Sequence, residues 1–486
     1  MAAVDPMAHD HDFNASFLRM FFLGVIVISP SFLCGLNLSY ATVALPQMNL
    51  SLNIASWFGS MSGIAAPIST IASGIIIDKL GRKSALIFAL LPSIAGWLLL
   101  LWDYNEFTIL TGQVLNGLTV GAVGYSSQVY TGECIMINHV RLRSSYIMWN
   151  CFNISAATFF MYAIALFLNY RQICAVAATI SVVILFLLSV FIPESPTWLY
   201  HQGRYEDAEK SQRKLRITQP ILKLARDESQ PLLQKNGSYW SHLQRVLAKL
   251  NRPDVRKPLI IFTTFSVLYS LCGTYGVMTY TIQIIDGSVY GQAWIPQTAK
   301  NESLEMILVN DAAPLSVNEI GVNSYAYNLV CGFLMVVSSI SASFGIPYIG
   351  LKMTMVFSLL GTLVAMIILA GTALATEGYL FILRVGAVWM IAFFFGVAAK
   401  TPYSAAGDAL PTDAKGFTSI TLLCGNLVSA FIRKLFPYLC VALGANTYYI
   451  FGVICLLCAI HAYFYLTEVV GKTLDEINQE YLTGKK

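Results

Sequence analysis

Polar side chains within apolar runs are the first candidates for chemistry in this sequence. The stretch LYSLCGTYGVMTYTIQ (268–283) holds three tyrosines, three threonines, a serine and a glutamine inside a long apolar run. At helical spacing, Tyr269, Gly273, Gly276, Tyr280 and Gln283 fall on one stripe. Such a stripe either packs against neighbouring helices through its small residues or lines a wet cavity that binds a polar solute.

Charged residues at the ends of apolar runs form a second set of candidates. They lie in GIIIDKLGRK (74–83), GECIMINHVR (132–141), PESPTWL (193–199) and GDALPTDAKG (407–416). Acidic and basic side chains at such ends can form ion pairs when two groups of helices meet. One exposed pair contributes about 0–1 kcal/mol, but several together could bias a two-state equilibrium by a few kcal/mol. We call this second set of candidates the inner gate, and its members are Asp78, Gly81, Arg82, Lys83, Glu133, Arg141, Glu194, Asp408 and Lys415.

The composition places the chain in the membrane class. Of its 486 residues, 56% are hydrophobic and 12% are charged, against about 25% charged in soluble domains. The mean hydropathy is +0.63 and the net charge is +4. Ten scattered cysteines are typical of buried thiols and not of a disulfide framework. We find no nucleophile–base pair, metal-ligand spacing or phosphate loop, so we expect no enzyme activity, cofactor, metal or nucleic-acid partner.

The apolar runs predict an all-α membrane protein. A helix needs about 20 apolar residues to cross a bilayer, and twelve runs of this kind occur, in two sets of six. They lie near 18–44, 55–77, 84–102, 107–130, 146–169, 172–192, 258–285, 322–347, 353–374, 379–405, 416–442 and 446–466. The predicted organisation is an N-terminus (1–17), a first half (18–192), an amphipathic loop (193–257), a second half (258–466) and a tail (467–486).

The distribution of charge predicts the orientation in the membrane. The loop 193–257 and the loops around 79–83 and 139–143 are basic, which is typical of the cytosolic side. The loop 286–321 has one lysine against five acidic residues and is predicted to face outside. Both termini are then cytosolic. Glycosylation acceptors at Asn301 and Asn49 fall on the predicted outer side.

Several motifs identify the chain as similar to a known family. GIIIDKLGRK resembles the loop signature of the major facilitator superfamily, and PESPTWL, GDALPTDAKG and GKTLDEI (471–477) resemble its sugar-porter branch. SWFGSMSGIAAP, QVYTGE, RKPL and YTIQI are similar to insect facilitated trehalose transporters. The resemblance implies a major facilitator fold that moves a sugar by alternating access. The second-half copy of the loop signature is reduced to GIPYIGLK (345–352).

The resemblance also implies where a sugar binds. Sugar porters usually carry Q-Q-x-S-G-x-N in the seventh span, and this chain has Tyr269 and Ser270 at the two glutamines and Tyr275 at the asparagine. Asn426 matches a family asparagine, and Tyr403 stands where a tryptophan is usual. The predicted substrate-binding residues are Asn37, Tyr269, Ser270, Tyr275, Gln283, Tyr403 and Asn426.

Energy coupling and charge recognition depend on three positions. Proton-coupled sugar porters have an aspartate in the first span and an arginine in the fourth, where this chain has Asn37 and Gln113. Neither amide titrates, which favours facilitated diffusion. Lys400 lies where the family has proline. It either extends to the cytosolic face, attracts an anionic substrate or pairs with an acid such as Glu133.

Three functional hypotheses follow. The first is a facilitative carrier of trehalose or a hexose, acting as a monomer in the plasma membrane. The second is a transporter of an organic anion or another small metabolite that uses Lys400. The third is a sensor that binds a solute without transporting it. Only a short tail follows GKTLDEI, and this disfavours the sensor, because such sensors often have long cytosolic tails.

Overall fold

The computed structural model contains only helices and their connections among the residues that it describes. These residues are 22–48, 50–103, 105–131, 134, 143–215, 250–288, 322–373, 379–398, 410, 417–468 and 476.

The first half contains six long helices. The first span, Phe22–Gln47, turns at Ser29 and continues as helix α1. The helices are α1 (Pro30–Ala44), α2 (Leu52–Leu80), α3 (Arg82–Trp102), α4 (Glu106–Tyr130), α5 (Arg143–Ile164) and α6 (Tyr170–Phe191). Two short helices follow, α7 (Pro196–His201) and α8 (Tyr205–Leu215), at the start of the predicted cytosolic loop.

The second half begins with a broken span. Where one helix was predicted over 258–285, the chain forms α9 (Pro253–Leu271), α10 (Thr274–Thr279) and α11 (Thr281–Asp286). Gly273, with a φ of +77°, separates the first two, and Tyr280 separates the last two. The remaining helices are α12 (Val322–Ile349), α13 (Leu351–Thr372), α14 (Tyr379–Ala398), α15 (Thr418–Leu443) and α16 (Asn446–Tyr465).

Ten helices among the described residues are long and apolar enough to cross a membrane. The two predicted spans outside this set are the fifth, α5, and the broken seventh. Large apolar side chains are exposed around the bundle, including Phe186 on α6, Phe344 on α12 and Phe431 on α15. Such a surface is costly in water and suits the hydrocarbon core of a bilayer. The structure thus confirms the predicted all-helical membrane class.

The two halves meet through two helix pairs. Within the first half α4 packs on α2 and α3, and α1 packs on α5. Within the second half α13 packs on α14 and α16, and α9 packs on α15. The main contacts between the halves are α2 with α15 and α5 with α12. These pairs are the second with the eleventh span and the fifth with the eighth, as expected if the halves are structural repeats.

Candidate functional site

Two amides on the first half lie buried between helices. Asn37 on α1 is 4% exposed, and neither its Oδ1 nor its Nδ2 has a hydrogen-bond partner. Gln113 on α4 is 1% exposed, and its Nε2 lacks a partner. One turn before Asn37, the Cys34 thiol lies 4.0 Å from the Val120 carbonyl of α4, so this face of α1 is directed towards α4. Buried polar atoms without partners are rare in native proteins, and a bound solute or water would satisfy them.

The seventh span presents its predicted site residues unevenly. Tyr269 on α9 is buried, and its ring meets the ring of Tyr275 edge-on at 6.2 Å. Tyr275 on α10 is half-buried and packs edge-on against Phe395 of α14 at 5.1 Å. The Ser270 hydroxyl donates instead to the Gly425 carbonyl of α15 at 3.0 Å. Ser270 therefore joins two helices in this conformation, where a cavity position was predicted.

The predicted stripe of the seventh span does not form one cavity face. A Cβ on Gly273 would lie 2.5 Å from the Phe451 ring of α16, and one on Gly276 would lie 2.4 Å from Phe436 of α15. The ring of Tyr280 stacks on Phe436 at 5.7 Å. Most of the stripe thus packs against other helices. Of the two alternatives left open by the sequence, packing against neighbouring helices describes Gly273, Gly276 and Tyr280, because the span breaks at Gly273 and Tyr280 and does not continue as one helix.

Of the remaining predicted residues, Gln283 and Asn426 lie among the described residues. Gln283 on α11 is 4% exposed, and neither atom of its amide has a hydrogen-bond partner. Asn426 on α15 is half-buried. Tyr403 and Lys400 lie outside the described residues.

Contacts close the gap between the halves on the predicted outer side. The Thr42 hydroxyl on α1 donates to the Met278 carbonyl of α10 at 2.9 Å. Gln47 Nε2 donates to the Tyr325 hydroxyl of α12 at 3.2 Å. The residues of each pair are more than 200 positions apart in the sequence, so only the folded structure shows that they are in contact.

Lys434 on α15 makes a further contact at this closure, which we call the lysine clamp. Its Nζ donates to Ser56 Oγ at 2.8 Å and to Asn53 Oδ1 at 3.0 Å, both on α2. The same Nζ lies 4.0 Å from the centroid of the Trp57 ring. The Tyr438 hydroxyl also donates to Asn53 Oδ1, at 3.3 Å. Sequence reasoning missed the clamp, although a Lys–Tyr pair at i and i+4 near the end of a predicted span was visible.

On the opposite, predicted inner side, Glu194 caps a helix within its own half. Its Oε1 accepts the backbone N–H groups of Arg82 and Lys83, at 2.7 and 3.0 Å, at the start of α3. A carboxylate at a helix N-terminus satisfies free N–H groups and interacts favourably with the helix dipole. A Cβ on Gly81 would lie 2.6 Å from Glu194 Oε2, and Gly81 has a φ of +97°, so glycine is required there. In this conformation Glu194 serves its own half, where an ion pair across the halves was predicted.

The second half repeats this cap with Glu468. Its two carboxylate oxygens accept the backbone N–H groups of Leu351, at 2.8 Å, and Lys352, at 3.1 Å, at the start of α13. Gly350 has a φ of +86°, and a Cβ there would lie 2.5 Å from Glu468 Oε2. Glu194 and Glu468 each stand three residues after the last residue of the sixth or twelfth span. The reduced motif GIPYIGLK thus keeps the glycine and the cap.

The other gate predictions are placed only in part. Asp78 lies 3.7 Å from Arg82 in an ion pair whose acid is 55% exposed. The Nζ of Lys83 donates to the Ser189 carbonyl at 2.7 Å, within the first half. The predictions that lie outside the described residues are Glu133, Arg141, Asp408, Lys415, Asn49 and Asn301. Within the described ranges, no group of His, Cys, Asp and Glu could hold a metal ion.

Two helical halves that pack against each other, with buried polar groups between them, are typical of a membrane transporter. The family model "Sugar (and other) transporter" matches residues 20–294 and 313–481. The chain therefore belongs to the sugar porter family of the major facilitator superfamily. This confirms the family, the fold class and the expectation that the chain is a transporter and not an enzyme.

Relatives in plants, insects and mammals match nearly the whole chain. It is 24% identical over 472 residues to "Sugar transporter ERD6-like 6" of Arabidopsis thaliana, which covers 93% of this chain and 88% of the relative. It is also 24% identical to "Facilitated trehalose transporter Tret1" of Apis mellifera ligustica, covering 93% and 86%. "Facilitated glucose transporter member 8" of Mus musculus is 24% identical, covering 92% and 91%. Their printed substrates differ, so identity at this level leaves the substrate open.

Solved structures support the same fold. The inward-open xylose transporter XylE of E. coli matches with a TM-score of 0.70 at 16% identity, covering 95% of this chain and 99% of that one. A partially occluded inward-open form of XylE matches with a TM-score of 0.69 at 17% identity, covering 94% and 100%. At this identity the likeness concerns the fold alone.

Proposed function

We propose that the chain is a facilitative transporter of a sugar such as trehalose or a hexose. The observation that carries this proposal is the set of buried amides on both halves, Asn37, Gln113 and Gln283, which have unpaired polar atoms. An amide can both donate and accept, which suits the paired hydroxyl groups of a sugar. Sugar transport by several relatives supports the same reading.

The neutral amides also support transport without proton coupling. A carboxylate within a membrane can bind and release a proton because burial moves its pKa. Asn37 and Gln113 occupy the predicted coupling positions, are almost fully buried and do not titrate. The solute would then move only down its own gradient.

Labelled uptake in oocytes tests both statements. We expect uptake of trehalose or glucose that persists with a protonophore at constant cytosolic pH, and that never exceeds the outside concentration. Water-injected oocytes and the variant Arg213→Gln, on the exposed surface of α8, serve as controls. Accumulation against a gradient that the protonophore abolishes would contradict facilitated diffusion. Absence of uptake for every neutral sugar would contradict the proposal itself.

We further propose that the inner side defined by Glu194 is cytosolic and that the chain works as a monomer in the plasma membrane. The basic loops support this orientation. The structure then corresponds to the state whose outer side is closed. Asn301→Gln should raise gel mobility as much as glycosidase treatment of the wild type, provided that Asn49 is unmodified. A tag inserted at 236 that stains unpermeabilised cells would refute the orientation.

A further inference from the structure

Arg433 on α15 is a buried cation at the junction of the two halves. It is 5% exposed. Its Nη2 occupies the space left by Gly63 of α2, where a Cβ would lie only 2.0 Å away. The guanidinium carbon lies 6.0 Å from the centroid of the Tyr275 ring. The side chain thus extends from the second half onto the second span of the first half.

Few of the hydrogen-bonding groups of this guanidinium are used. A guanidinium has five N–H donors. In the structure Nε donates to the Ser429 carbonyl at a long 3.4 Å. No ion pair among the described residues includes Arg433. Burying a charge without a counter-charge is unfavourable, and ionisable residues inside membrane spans usually serve function.

The position of Arg433 connects it with the predicted sugar site. Asn426 lies seven residues earlier on α15, which is two helical turns, so both residues are on the same face about 10 Å apart. Ala430 lies between them on this face, and its Cβ also faces Gly63. Asn426 is half-buried whereas Arg433 is almost fully buried. The face therefore leads from Asn426 towards the closed outer side, with the guanidinium at its end and the Tyr275 ring beside it.

We infer that Arg433 binds a carboxylate on the transported solute, so that the preferred substrate class is a sugar acid. A guanidinium binds a carboxylate through two parallel N–H···O bonds, and this pairing would supply the missing counter-charge. Hydroxyl groups of the same solute would meet the unpaired amides of Asn37 and Gln283. This inference rests on the proposed function in that it assumes transport of a sugar-like solute.

The test compares matched neutral and acidic sugars. Glucose and glucuronate differ only in that a CH₂OH group is replaced by a carboxylate, and glucose and gluconate form a second pair. Uptake and ligand-induced thermal stabilisation are measured for the wild type, Arg433→Gln and Arg433→Lys. Arg213→Gln makes the same change at an exposed position and is the matched control. Surface biotinylation normalises the uptake to the amount of folded protein.

The wild type should bind at least one of the two acids tenfold more tightly than glucose. Arg433→Gln should raise the KM for that acid at least tenfold, because a hydrogen bond to a charged group is lost, with little change for glucose. Arg433→Lys retains the charge but loses the two-bond geometry, and should give an intermediate KM. If Arg433→Gln fails to reach the surface, Arg433→Lys and the wild-type preference carry the test.

Three results would overturn the inference. One is a wild type that prefers glucose to both acids. Another is Arg433→Gln with an unchanged KM for the acid. The third is an equal loss of glucose and acid uptake at normal surface levels, which would assign Arg433 to closure of the outer side. If the wild type takes up glucose but binds neither acid, only this inference fails and the proposed function stands. If the wild type takes up neither glucose nor any other sugar, the proposed function itself is refuted.

Discussion

The lysine clamp should set the balance between the outer-closed and outer-open states. In the closed state Lys434 Nζ contacts Ser56 Oγ, Asn53 Oδ1 and the face of Trp57. Opening the outer side separates α2 from α15 and breaks these contacts. We therefore expect Lys434→Met to favour the outer-open state.

The magnitude follows from the contacts. Hydrogen bonds to a charged group contribute about 1.5–3 kcal/mol each when buried, and a cation–π contact contributes about 0.5–2 kcal/mol. Lys434 is only partly buried, and water replaces some of these contacts on opening. A net effect of about 1–3 kcal/mol remains, which changes the equilibrium between the two states about 5- to 150-fold. Trp57→Leu removes only the aromatic contact and should give a smaller shift in the same direction.

Labelling of an introduced thiol measures this equilibrium. Ser60 on α2 is fully buried in the closed state, so Ser60→Cys should react with an impermeant maleimide only when the outer side opens. We expect labelling on intact cells to be at least fivefold faster when Lys434→Met is added. The protein without Ser60→Cys gives the background from native thiols, and Lys210→Met on the exposed face of α8 is the matched control. Equal labelling rates with and without Lys434→Met would refute the clamp.

Three other predictions concern single contacts. Glu194→Gln and Glu468→Gln should each lower the free energy of unfolding by about 1–3 kcal/mol, because each weakens two charge-assisted bonds at a helix end; an unchanged thermal midpoint would contradict this. Ser270→Ala should leave the KM for sugar unchanged and cost about 1 kcal/mol of stability; a tenfold higher KM would return Ser270 to the binding site. Asn37→Asp should make uptake depend on pH, because only the protonated acid is neutral like the amide that it replaces: uptake stays near wild type at low pH and falls as pH rises. Uptake that is independent of pH would show that position 37 is solvated.

The sequence predicted the helical class and most of the span boundaries. An apolar run of bilayer length indicates a membrane helix, and its two ends indicate where that helix begins and ends. It did not predict the break in the seventh span. Glycine is common in membrane helices, so Gly273 by itself does not indicate a left-handed turn. Once the helix breaks, the assumed stripe no longer shares one face, and Gly276 and Tyr280 turn towards Phe436.

The site was predicted less completely than the fold. Asn37 and Gln283 are buried with unpaired amides, and their role in substrate binding stays a prediction. Arg433 was overlooked because it lies in the adjacent pair Arg433–Lys434 near the predicted outer end of a span, where basic residues often extend to the interface. Only the packing shows that the two cations have different surroundings. Lys434 contacts Ser56 near the start of α2, whereas the Arg433 guanidinium lies against Gly63.

The two sides of the molecule are stabilised by different chemistry. On the predicted inner side Glu194 and Glu468 bind backbone N–H groups of their own halves, so neither contact must break when one half rotates against the other. Each cap instead fixes a helix start to the segment that ends the same half, and this favours movement of the halves as rigid bodies. On the predicted outer side the clamp and the Thr42–Met278 bond join different halves, so we expect both to break when that side opens. The clamp pairs a cation with neutral groups, so no unpaired anion remains when its contacts part.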